Sequence, residues 1–243
     1  AAAVVMDVAT REVLAAVSYP TYSIAEYGQK YEELLRETRL MPLKARAIQV
    51  SYPPGSTCKV IAALGALSDG VVQLNTHFEC TGYLLPNNRN RFRCWIYNQH
   101  SLTHGPQSIE DAIRNSCNIY FFRAGEKLGA ARLCQWFEAF GLGRAAGTGL
   151  IEEAPGVVPD ETWLRTYAKR RFQRGDEWNW SIGQGEVNAT PLQVANVVAT
   201  IASGEWRPVV LAREPDGAAL GGRRALPLGP VRQDARCQRQ RRF

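Results

Sequence analysis

Pro53-Pro54-Gly55 constrains this chain more than any other segment, because two prolines and a glycine stop regular structure immediately before an apolar run. Val60–Leu67 is rich in Ala and Leu and is followed by Gly70, which predicts a helix with a glycine stop at its C-terminal end. Ser56-Thr57-Cys58-Lys59 lies between the breaker and the helix body. In a first helical turn, residues i and i+3 share a face, so Lys59 is placed to reach the Ser56 hydroxyl. A serine hydroxyl is a weak nucleophile without a base in reach. A helix N-terminus also offers free N–H groups and partial positive charge to an oxyanion. Ser-x-x-Lys alone is weak, since a capping serine followed by an exposed lysine reads the same way. Here only Lys59, of five lysines, has Ser three positions before it.

Elsewhere the patterning predicts mixed structure. Residues 2–8 and 13–18 are short β-branched runs around Ala-Thr-Arg-Glu, a hairpin. A helix is expected near Glu32–Thr38, another from the cap Ser108 through about Lys127, and a third over Ala130–Phe140 before Gly141. Thr190-Pro191 starts a further helix to Gly204, and residues 208–211 form a candidate strand. Residues 71–106 read as loop, and residues 142–180 carry few periodic signals.

The net charge of +6 is confined to one end. Residues 221–243 hold seven arginines and one aspartate, while the other 220 residues balance 22 basic against 22 acidic side chains. A neutral body with a basic end argues against a nucleic-acid-binding function. No run of about 18 apolar residues occurs, so no membrane-spanning helix is expected. The start at Ala1 suggests part of a longer protein whose anchor lies outside this chain.

A second polar cluster, Ser116-Cys117-Asn118, follows Ser56 by sixty residues and supplies Ser-x-Asn. With Tyr52-Pro-Pro-Gly-Ser-Thr-Cys-Lys59, Phe92-Arg-Cys-Trp95, Gly141-Leu-Gly143, Ser181-Ile-Gly-Gln-Gly185 and Thr190-Pro-Leu-Gln193, it resembles the penicillin-binding protein family over nearly the whole chain. The likeness is to class B transpeptidases of cell elongation. It implies an α+β fold of the penicillin-binding transpeptidase and serine β-lactamase type. In that fold an antiparallel sheet would be flanked by helices, with the Ser56 helix buried centrally, and the C-terminal strands are expected to be missing. Residues 1–213 would be a partial transpeptidase domain, and residues 214–243 an Arg-rich, disordered or aberrant tail.

The implied activity is a peptidoglycan D,D-transpeptidase needing no catalytic cofactor. Ser56 would attack the penultimate D-Ala carbonyl and Lys59 would take its proton. Ser116 would relay protons, and Asn118 would hold Lys59 and the donor peptide. Implied partners are stem peptides, penicillin and other β-lactams, and a membrane glycosyltransferase of the elongation machinery. The implied location is the periplasmic side of the bacterial inner membrane. The family's third element, Lys-Thr/Ser-Gly, does not occur in the 243 residues. The expectation is therefore a chain inactive or unstable as it stands. The alternatives are a class D-type β-lactamase or β-lactam sensor domain, which would favour an apolar residue at position 118, and a non-catalytic fragment.

Cys80, Cys94, His104 and Cys117 are three thiols and an imidazole, a donor set for a tetrahedral structural zinc. Their spacing lacks a tight Cys-x-x-Cys pair. A Cys80–Cys94 disulfide and plain packing stand beside the zinc. Cys58 and Cys134 read as core, and His77 and His100 as surface. Trp95, Tyr97 and Trp180 are candidates for the cleft or the core, and Gly183 and Gly185 for a tight turn beside it.

Overall fold

The computed structural model describes residues 1–150, 152–211 and 224–225; most of residues 214–243 lie outside them. In chain order the elements are β1 (Ala2–Met6), β2 (Val13–Ser18), α1 (Tyr27–Arg36), α2 (Arg46–Gln49), α3 (Lys59–Ser68), β3 (Phe78–Cys80), α4 (Trp95–His100) and β4 (Gly105–Gln107). They continue with α5 (Ile109–Arg114), α6 (Asn118–Leu128), α7 (Ala130–Ala139), α8 (Glu161–Thr166), α9 (Arg174–Ser181), α10 (Pro191–Ser203), β5 (Glu205–Trp206) and β6 (Arg224–Ala225). The fold is α+β, with the described strands in three antiparallel pairs, β1–β2, β3–β4 and β5–β6. Among the described residues no helix is long and apolar enough to cross a membrane.

The chain divides into two compact units. One comprises Ala1–Pro54, Phe137–Val158 and the described part of Val187–Leu226; the other is built on Gly55–Trp136 and Pro159–Glu186. In the first unit the predicted hairpin forms, and alternate residues Val4, Met6 and Val13 pack with Ile48 onto buried Ala146, Leu192 and Val209. Helix α10 starts at a capping box in which Thr190 and Gln193 satisfy each other's backbone N–H groups, and it stops at Gly204 with φ +76°. The candidate strand at 208–211 is reduced to a single parallel bridge from Glu12 to Val210. Arg11, in the polar turn of the hairpin, is fully buried. Its guanidinium donates to Asn196 Oδ1, Ala199 O, Ser203 Oγ and Glu205 O, which pins the turn to the end of α10.

In the second unit α3 is buried through Lys59, Ile61, Ala62, Ala63, Gly65 and Ala66, and it packs on α6. Gly65 is needed for that burial, because a Cβ there would sit 2.8 Å from the Trp136 ring. Cys58 and Cys134 are core residues; burial pushes the Cys58 thiol up to about 12, and Cys134 donates to Pro159 O. Helix α1 begins five residues earlier than the polar pattern suggests. The region expected to be loop contains β3, α4 and β4, and residues 142–180 contain α8 and most of α9.

Candidate active site and metal centre

The continuous helix expected from Ser108 to Lys127 is broken, and the break builds the site. The Ser108 cap starts α5 as predicted, accepting from Asp111 N–H. The helix then ends at Asn115, where Ser116 N–H donates to Ile113 O and Cys117 N–H donates to Ala112 O. Ser116 has φ +48°, a left-handed conformation that disfavours a residue with a Cβ by about 1–2 kcal/mol. Helix α6 restarts at Asn118, so Ser116 and Asn118 stand at the head of one helix beside the start of another.

Ser56 also sits outside a regular α-helix. It belongs to the 3-10 turn Gly55–Cys58 that leads into α3, and it is exposed while Lys59, one turn on, is buried. Lys59 Nζ donates to Ser116 O at 2.7 Å, Ser116 Oγ at 3.0 Å and Asn118 Oδ1 at 2.6 Å. Ser116 Oγ donates in turn to Ser56 Oγ at 2.9 Å. The path from Lys59 to Ser56 thus runs through the Ser116 hydroxyl, which the helical spacing alone did not indicate. Burial holds the Lys59 ammonium down at about 8, partly opposed by the negative charge of Cys94. Its Nζ also lies 5.7 Å from the centre of the Phe121 ring.

These groups open onto a cleft of about 300 Å³ lined by Ser56, Trp95, Ser116, Asn118, Ile182 and Gln184. Of the three aromatic candidates only Trp95 lines it; Tyr97 packs against Tyr83 and Gly82, and Trp180 is buried. Ile182 and Gln184 were not singled out in the sequence, although the glycines that flank Gln184 mark their turn. Gly55 N–H donates to Gly183 O at 2.8 Å. Gly183 has φ +68°, and a Cβ there would meet Gly55 O at 2.2 Å. Gly183→Ala is accordingly expected to destabilise the protein by about 2–4 kcal/mol, from left-handed strain plus a backbone clash. The check is a lower urea midpoint at unchanged slope.

Beside the cleft, Cys80, Cys94, His104 and Cys117 bring their ligand atoms within 4.8 Å of one another. Cys80 Sγ and Cys94 Sγ lie 3.7 Å and 3.4 Å from His104 Nδ1. All five described cysteines are free thiols, so no Cys80–Cys94 disulfide is present. Hydrogen bonds from the Cys117 and Cys80 thiols hold Cys94 far below the usual thiol range, while Cys117 is driven up. A preformed thiolate with further thiols and an imidazole turned toward it fits zinc, whose sulfur ligands sit about 2.3 Å from the ion. Two cross-links tie this loop to the site: Trp95 Nε1–H donates to Asn115 O at 2.9 Å, and Asn118 Nδ2–H donates to Arg93 O at 3.0 Å. His77 and His100 lie outside the cluster and are exposed.

Residues 1–234 match the penicillin binding protein transpeptidase domain family. The peptidoglycan D,D-transpeptidase MrdA of Acinetobacter baumannii is 35% identical over 207 residues, covering 83% of this chain and 30% of that protein. MrdA of Escherichia coli K12 is 34% identical over 82% of this chain and 31% of its own length. Among solved structures, Pseudomonas aeruginosa PBP2 in complex with WCK 5153 superposes with TM-score 0.83 at 32% identity, covering 96% of this chain and 54% of that one. Helicobacter pylori PBP2, in complex with MreC, gives TM-score 0.81 at 28% identity, covering 92% and 41%. The chain spans about a third of the curated relatives' length. With the family matched over most of its residues and the two MrdA relatives above 30% identity, this chain belongs to the penicillin-binding protein transpeptidase domain family and is similar in type to PBP2 (MrdA).

Proposed function

We propose that this chain carries the nucleophile and proton-transfer half of a peptidoglycan D,D-transpeptidase. The observation that carries this reading is the hydrogen-bonded line from Lys59 Nζ through Ser116 Oγ to Ser56 Oγ, opening on a cleft. Two of the three Lys59 acceptors, Ser116 O and Asn118 Oδ1, have no proton to give back. When Lys59 loses a proton, its lone pair is met only by the Ser116 hydroxyl, which then accepts from Ser56. As Ser56 Oγ bonds to the penultimate D-Ala carbonyl carbon, its proton passes to Ser116 and the Ser116 proton to Lys59. The reverse transfer protonates the leaving D-Ala nitrogen as the C–N bond breaks, leaving an ester on Ser56. The amine of a neighbouring stem peptide then attacks the ester, forms the cross-link and frees Ser56. Penicillin and other β-lactams enter by the same first step.

Asn118 orients Lys59, and its amide lies on the cleft wall for the donor peptide. No catalytic cofactor enters these steps. Cys80, Cys94, His104 and Cys117 would hold a structural zinc, which would brace the loop carrying Trp95 against Ser116 and Asn118. The natural setting is the periplasmic side of the inner membrane. The relatives' complexes, one with MreC and one in a peptidoglycan synthase complex that coordinates polymerization and crosslinking, support a membrane glycosyltransferase of the elongation machinery as a partner.

Lys-Thr/Ser-Gly is absent from the 243 residues, so half of the oxyanion hole has no source among them. Loss of one oxyanion donor lowers rates by about 10²–10³, and acylation by this chain alone is expected to be slow. Rapid stoichiometric labelling by micromolar penicillin would overturn that expectation. Lys59 sets the pH dependence. Its neutral form is the base, so the acylation rate rises with pH through about 8 and levels above it. The sign for stability agrees: folded Lys59 binds fewer protons than unfolded lysine between about 8 and 10.5, so stability rises with pH across that window. A rate flat from pH 6 to 9.5 would argue against Lys59 as the base. Fast penicillin turnover, in place of a trapped acyl-enzyme, would favour a β-lactamase reading.

A further inference from the structure

Residues 165–174 contain five basic side chains and no acidic one, a local excess hidden in the neutral average of the chain body. Arg165 lies in the last turn of α8, and Lys169 has φ +54°, a left-handed residue in the connection to α9. Four of these side chains converge: Arg165, Lys169, Arg170 and Arg171 alone line an open concavity of about 390 Å³. Arg170 is fixed there from behind. It donates to both oxygens of Asp176 at 2.8 Å and to Glu186 at 2.5 Å, and Asp176 is itself held by Gln173 N–H at the start of α9. Arg165 is tethered to Glu161 at 2.9 Å. Among the described residues, neither Lys169 nor Arg171 has an acidic partner, so two cations on this wall are uncompensated.

Arg165 and Arg170 are already neutralised by their carboxylates, so the uncompensated charge of the hollow is that of Lys169 and Arg171, two like charges that an anion between them would satisfy. Guanidinium forks match paired oxygens of a phosphate, and a lysine adds a point charge to the same group. A single carboxylate would neutralise one of the two free cations and leave the other uncompensated. We propose that Lys169 and Arg171, on a wall shaped by the paired Arg165 and Arg170, form a binding site for a multiply charged phosphate group, borne by a soluble diphosphate or by the headgroup of an anionic lipid. The site is separate from the acyl-transfer cleft, and its ligand does not contact Ser56. Failure of this inference therefore leaves the transpeptidase reading intact, and the reverse holds as well.

Titration calorimetry of the whole chain with inorganic pyrophosphate is the test, at about 50 mM and about 200 mM salt. The expected result is saturable one-to-one binding that weakens with salt. Lys169→Ala/Arg171→Ala should reduce the affinity about tenfold or more, with an unchanged thermal midpoint because both side chains are exposed. Arg241→Ala/Arg242→Ala removes the same charge elsewhere and should leave the affinity unchanged. Sedimentation with phosphatidylglycerol vesicles, against phosphatidylcholine alone, separates the two sources. Variant-sensitive vesicle binding displaced by pyrophosphate identifies a lipid headgroup; pyrophosphate binding without vesicle binding identifies a soluble phosphate. The inference is overturned if neither probe binds, if the Lys169/Arg171 variant binds as the parent does, or if both double variants lose affinity equally.

Discussion

Replacing Lys59 with Met is expected to slow acylation of Ser56 by a penicillin about 10³-fold, the usual contribution of a positioned general base, while the fold is retained. Lys59 is buried, its ammonium is destabilised by burial, and its three N–H groups are spent on Ser116 O, Ser116 Oγ and Asn118 Oδ1. Met fills similar volume without a charge to desolvate, which offsets the donors lost by those acceptors. The net change in stability is expected to stay within about 2 kcal/mol. Rate and stability therefore separate, and the separation distinguishes a base from a packing residue. Lys59→Arg sharpens the contrast, because it keeps the charge but never supplies a free lone pair near neutral pH. Intact-protein mass spectrometry over hours at high penicillin concentration reads all three rates. Labelling of the Met variant at the parent rate would remove Lys59 from the chemistry.

Removing metal is expected to have the largest effect on stability. Stripping zinc with a strong chelator, or Cys94→Ser, should lower the thermal midpoint by about 10 °C, corresponding to a loss of several kcal/mol in a chain of this size. Three of the four donors are buried, and they draw β3, the turn before α4, the segment before β4 and the head of α6 to one point. Cys117 lies between Ser116 and Asn118, so freeing it releases the left-handed turn that aims Ser116 at Ser56. Acylation should slow together with the midpoint, and both should return when zinc is added back. Acid should act in the same direction, since thiolate ligands are lost on protonation. Metal analysis of the purified chain showing no bound zinc, with a midpoint indifferent to chelator, would contradict this account.

Much of the scaffold was legible because it rests on local chemistry. The period-two runs of the first hairpin, the Thr190–Gln193 capping box and the glycine stop at Gly204 each specify their own backbone. The local setting of Ser56 and Lys59 was legible as well, since Pro53-Pro54-Gly55 leaves Ser56 where a turn enters a helix. What was not legible depends on contacts distant in sequence. Nothing local marks Ser116 as left-handed; Lys59, fifty-seven residues away, bonds both its carbonyl and its hydroxyl. Arg11 reads as an ordinary turn residue, yet it is buried because α10 presents a set of oxygens to it. The metal quartet was named as a donor set, but only the fold draws 80, 94, 104 and 117 together. Averaging the charge over 220 residues concealed the basic hollow at 165–171.

The central claim, that Ser56 is the acyl-accepting nucleophile, is tested most directly by mapping a penicillin adduct. The chain is incubated for hours with millimolar penicillin, digested and sequenced by tandem mass spectrometry, in parallel with Ser56→Ala. The account predicts one adduct, on the peptide carrying Ser56, that accumulates slowly and is absent from the alanine variant. An adduct on another side chain, or equal labelling of Ser56→Ala, would contradict it.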